Sequence, residues 1–71
     1  MEIPIRLKFG KRLREVRNKR KLTQEKLSEL AEIDYKYLQK IEGKNPPNIK
    51  LETIEKLAKT LKVKPSELLE P

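Results

Sequence analysis

Apolar positions recur along the chain at helical spacing and are interrupted by short polar breaks. Ile5, Phe9, Leu13 and Val16 follow one another at intervals of four, four and three residues. At 100° per residue they share one face, which predicts a first helix with Pro4 at its first position and an end near Lys19 to Lys21. Thr23 can cap a second helix over Gln24 to Ala31, placing Leu27, Leu30 and Ala31 on one face. Asp34 repeats the capping signal, and Leu38 and Ile41 mark a third helix from Tyr35 to Glu42, with Gly43 as its stop. The breaker-rich segment 43–48 reads as a loop. Leu51, Ile54, Leu57, Ala58 and Leu61 then give a fourth helix, and Pro65 opens a short fifth in which Leu68 and Leu69 can pack. The prediction is an all-α fold of five short helices.

Only about three residues separate the second helix from the third, so the two must cross steeply. That is the helix-turn-helix unit, spanning about residues 23–43 here, whose second helix can enter a DNA major groove. Chain length is consistent with this reading. Seventy-one residues accommodate one domain with a modest core, which suits a binding module better than a cleft enzyme. The chain has no Cys and no His, so disulfides, the commonest zinc sites and His-dependent acid-base chemistry are excluded. No cofactor is expected. With no run of about 18 apolar residues and no signal-peptide core, the expected compartment is the cytoplasm, with no membrane partner.

Charge sharpens the picture through its placement. The net charge is +7, and residues 1–21 alone hold nine cations against two acids, whereas the remaining cations and acids cancel. A basic first helix on a neutral body suits a polyanion, most simply the nucleic-acid backbone, and Lys8, Lys11 and Arg14 point away from the apolar face, which leaves them free to meet phosphate. The same composition also suits a Lys- and Glu-rich soluble surface.

The ordered set LREVR, TQEKLSELA, IEGKNPP, LETIEKLAKTL and VKPSELL resembles the Cro and phage-repressor type of helix-turn-helix, also called the xenobiotic-response-element family, over about Phe9 to Leu69. The resemblance implies a lambda-repressor-like DNA-binding domain that acts as a sequence-specific transcriptional regulator, dimeric on a palindromic operator, and not an enzyme. It implies that Gln24 contacts a phosphate and braces the third helix, and that Tyr35, Lys36, Gln39 and Lys40 read bases. Lys36 and Lys40 lie four apart on one face with Gln39 beside them, and Lys can donate to guanine while Gln pairs with adenine. Tyr35 suits a thymine methyl or the sugar backbone; Tyr37 either bonds phosphate or covers the turn. Lys44 and Asn45 fall at loop positions that grip phosphate, and Arg17 and Glu42 at those of a structural ion pair.

The family's dimer contacts map to about Asn48, Ile49, Leu68 and Leu69, and the absence of an effector domain implies control by concentration, dimerisation or another protein. Three positions depart from the pattern. Lys21, Glu32 and Lys62 stand where the family has glycine after a helix, and Lys50 stands where a capping Ser or Thr is usual. The competing reading is a protein-interaction module, antitoxin-like or coactivator-like, with secondary DNA affinity.

Overall fold

The interval of four, four and three residues in the first segment builds α1 (Ile5–Lys19), the longest helix. In the computed structural model, which describes residues 3–69, four further helices follow: α2 (Gln24–Ala31), α3 (Tyr35–Ile41), α4 (Leu51–Leu61) and α5 (Pro65–Leu69). No strand occurs among the described residues. Pro4 is the residue before the first helical one rather than part of the helix, and its carbonyl accepts from the Leu7 and Lys8 backbone N–H groups.

Helix starts and stops follow local chemistry. Thr23 Oγ1 accepts from the Lys26 N–H at 3.0 Å, and Asp34 Oδ2 accepts from the Tyr37 N–H at 3.1 Å, so α2 and α3 each satisfy an otherwise orphaned donor. Lys50 before α4 makes no such side-chain cap. The three positions that lack the expected glycine nevertheless take the left-handed conformation, with φ of 58° at Lys21, 56° at Glu32 and 58° at Lys62. Each exit has the same design. The residue after the left-handed one sends its N–H back five positions, Leu22 to Arg17, Ile33 to Ser28 and Val63 to Ala58, at 2.9–3.1 Å. Leu22, Ile33 and Val63 then pack against the core, so burial of an apolar residue accompanies each strained turn.

The core is one cluster drawn from every helix: Phe9, Leu13 and Val16 from α1, Leu27 and Ala31 from α2, Leu38 and Ile41 from α3, Leu57, Ala58 and Leu61 from α4, and Leu68 from α5. α1 packs against α5 and α3, and α2 against α3 and α4. Gly10 lets α1 meet the end of α3 closely. A β-carbon there would lie 2.2 Å from the Ile41 carbonyl oxygen, so any side chain would push the two helices apart.

Several apolar positions depart from the periodic expectation, Leu51 at the start of α4 most of all at 79% exposed. Ile5, in the first turn of α1, is 65% exposed, and Leu30 is 51% exposed on the flank of α2 while Leu27, Ser28 and Ala31 face inward. Periodicity assigns a face, but the neighbouring elements decide how much of it is covered.

Candidate nucleic-acid interface

The helix-turn-helix is held from behind by a single carboxylate. Glu42, just past the last residue of α3, has a fully buried side chain. Arg17 of α1 grips it in a two-toothed fork, Nε to Oε2 at 2.9 Å and Nη2 to Oε1 at 3.0 Å. The same guanidinium donates through Nη1 to the Leu22 carbonyl at 2.7 Å, tying the loop before α2 into the cluster. Gln24, the first residue of α2, donates from Nε2 to Glu42 Oε1 at 3.0 Å. Arg14 adds looser contacts, 3.5 Å to Oε1 and 3.3 Å to the Glu42 carbonyl, with about half of its side chain in solvent.

This arrangement fixes the angle of α3. The start of α2 and the end of α3 are pinned to the same point on α1, and no buried polar side-chain atom among the described residues lacks a partner. A buried carboxylate with two guanidiniums and an amide around it is satisfied; with one partner removed, it would strand a buried charge.

With its inner edge anchored through Leu38 and Ile41, α3 turns Tyr35, Lys36, Gln39 and Lys40 outward. All four are exposed, and among the described residues none of these side chains hydrogen-bonds to the protein. They present donors, an amide and a partly exposed aromatic ring on one short helix face, the chemistry that base edges in a major groove match. Lys44 and Asn45 are exposed in the loop beyond Gly43, before the buried Pro46.

Two candidates sit elsewhere. Tyr37 lies on the inner flank of α3, half-buried against the core, with its hydroxyl 3.5 Å from the Asn48 carbonyl. It is grouped with the α3–α4 loop rather than with the outward four. Gln24 is half-buried, and one of its amide hydrogens is engaged by Glu42; the amide has a second to offer.

The basic first helix is organised differently from the expectation that its cations are free. All five arginines of the chain bond to the protein itself: Arg6 to Asn48 Oδ1, Arg12 to the Glu67 carbonyl, Arg14 and Arg17 to Glu42, and Arg20 to the Leu61 carbonyl. They staple α1 to the α3–α4 loop, α5, the end of α3 and the end of α4. Lys8, Lys11, Lys19 and Lys21 stay exposed without such bonds among the described residues. The sequence anticipated the Arg17–Glu42 pair but missed the staples of Arg12 and Arg20, whose backbone-carbonyl acceptors carry no side-chain signature. Gly10 was the one available clue, since an isolated glycine within a helical pattern commonly marks close packing.

Comparison with known proteins agrees with this geometry. Residues 10–70 match the model of a family described as a helix-turn-helix domain. The control protein C.BamHI of Bacillus amyloliquefaciens is 39% identical over 67 residues, covering 93% of this chain and 82% of that protein. Among solved structures, the restriction-modification controller protein C.AhdI of Aeromonas hydrophila superposes with a TM-score of 0.83 at 41% identity, covering 89% of this chain and 94% of that one. The hypothetical transcription factor NHTF from Neisseria gives 0.89 at 33% identity, covering 94% and 74%.

Proposed function

The chain belongs to this helix-turn-helix family, and from that premise we infer that it is a sequence-specific, double-stranded DNA-binding transcriptional regulator with α3 set in the major groove. One observation carries the reading of the site: α3 is fixed from behind by the buried Glu42 cluster while Tyr35, Lys36, Gln39 and Lys40 are left unbonded on its outer face. A rigid helix with unspent donors discriminates bases without first having to break internal bonds. Lys36, Gln39 and Lys40 are assigned to base edges, Tyr35 to a thymine methyl or the sugar backbone, and Gln24, Lys44 and Asn45 to phosphates. Tyr37 supports the loop from the inner flank.

The regulator is proposed to act as a two-fold dimer on a palindromic operator. Leu51 is 79% exposed and Leu69 39% exposed, and with Ile54 and Pro65 they line a shallow apolar depression on the α4–α5 side. A second copy covering this patch removes it from water. Leu68 is fully buried and belongs to the core, so the contact falls to Leu69 and Leu51. The likeness to two control proteins of this kind supports a role in governing a restriction-modification system, exercised through the regulator's own concentration. Its place is the cytoplasm; among the described residues no helix is long and apolar enough to cross a membrane.

Selection of duplexes from a random-sequence library at near-physiological salt tests the assignment. The expected pool contains an inverted repeat with half-site centres about 10 bp apart. Repeating the selection with Lys40→Ala should relax one base pair in each half-site, at a loss of about 1–3 kcal/mol of discrimination there. Folded protein that enriches no sequence would overturn the function, and an unchanged motif with Lys40→Ala would overturn the role of that residue.

A further inference from the structure

Beside the first half of α1 lies a groove of about 550 Å³, lined by Ile3, Leu7, Lys8, Lys11, Arg14 and Gly43 among others. Its volume falls within the roughly 300–1,000 Å³ of ligand sites. We propose that this groove is a docking site for an acidic amphipathic segment of a partner protein. The argument rests on composition and on charge complementarity.

The lining combines two chemistries. Ile3 is 58% exposed and Leu7 half-buried, which leaves apolar surface open to solvent at the start of α1. Around it stand Lys8 and Lys11, both exposed and without a side-chain partner among the described residues, and Arg14, with 56% of its side chain exposed. Among the described residues, the two acids at the groove are already engaged. Glu15 faces Arg12 at 3.8 Å, and Glu42 is enclosed by Arg17 and Gln24. The available charge is therefore positive, and it surrounds an apolar floor.

An apolar surface rimmed by exposed Lys8 and Lys11 and by the half-exposed, loosely held Arg14 matches a segment that alternates carboxylates with Leu, Ile or Phe at helical spacing, the helix-in-groove mode. A DNA backbone would engage the lysines but would leave Ile3 and Leu7 in water. None of Lys36, Gln39 and Lys40 lines the groove, which leaves the outer face of α3 available to DNA while a partner is docked.

The test is selection of a displayed library of random 16-residue peptides on the intact chain at near-physiological salt. The leading peptide is then synthesised, titrated, and mapped by amide NMR shifts. The expected pool is rich in Asp and Glu with Leu, Ile or Phe three or four positions apart, and the peptide should shift Leu7, Lys8, Lys11 and Gly43. Lys8→Glu combined with Lys11→Glu should weaken it at least tenfold; both side chains are exposed, so the fold should survive. Lys40→Ala should change it by less than twofold, which separates this site from the DNA-reading face. No enrichment, a pool without acidic bias, or shifts confined to Leu51 and Leu69 would overturn the proposal. So would shifts of the groove residues by a random-sequence duplex with none by the peptide, which would make the groove part of the DNA track.

Discussion

The two basic surfaces of this protein use their charge in opposite ways. Around α1 the arginines bond to carbonyls, an Asn side chain and a carboxylate of the same molecule, whereas on α3 the lysines point outward with no hydrogen bond to the protein among the described residues. The planar guanidinium, with five donors in a fixed fork, can bridge helices and fill a buried carboxylate; the ammonium is a mobile point charge suited to a partner not yet present. A chain with net charge +7 thus engages its arginines within the fold and leaves Lys36 and Lys40 on α3 for recognition. The size of a basic patch on its own overstates the area available to nucleic acid.

The contrast can be broken most severely at Glu42. Glu42→Ala strands Arg17, and the expected loss is about 3–5 kcal/mol of stability, read by denaturant unfolding. In a domain this small each kcal/mol corresponds to about 4–8 °C in Tm. Binding should fall for every DNA sequence alike, because the angle of α3 is lost rather than any base contact. Lys40→Ala on the opposite face should leave stability within about 0.5 kcal/mol. Equal destabilisation by the two would show that the outer face is not free.

A smaller effect is expected where α1 and α3 touch. Gly10→Ala places a methyl group 2.2 Å from the Ile41 carbonyl oxygen, against backbone that cannot yield cheaply. The expected cost is about 1–3 kcal/mol, again with weaker binding to all sequences. An unchanged thermal midpoint would mean that the helices separate without penalty.

The smallest effect belongs to the strained exits. Lys62→Gly relieves a left-handed residue that costs about 1–2 kcal/mol, but it also loosens the unfolded chain by about 0.4–1 kcal/mol. A net gain below about 1 kcal/mol is expected in the same unfolding experiment. A net loss would assign the Lys62 side chain a stabilising contact.

Much of the fold was legible in the sequence because its determinants are local. Thr23 and Asp34 announce the starts of α2 and α3, and the apolar intervals give most of the inner faces. The outward set on α3 is implied by the family resemblance, and the helical spacing adds that Lys36, Gln39 and Lys40 share one face. What could not be read depends on neighbours distant in sequence. Arg12 reaches a carbonyl 55 residues away, Arg6 a side chain 42 away, and both distances exist only once the helices are packed. The exposure of Ile5 and Leu30, and the turning of Tyr37 toward the α3–α4 loop, have the same origin.

The salt dependence of DNA affinity tests the division of charge most directly, measured for the wild type, Arg20→Gln and Lys44→Ala on one selected duplex at a temperature where all three are folded. Each phosphate contact contributes about 0.9 to the slope of log K against log salt. Lys44→Ala should therefore flatten the slope by about that amount, and Arg20→Gln should leave it unchanged despite removing the same unit of charge. A slope flattened by Arg20→Gln and untouched by Lys44→Ala would contradict the assignment of arginine to shape and lysine to recognition.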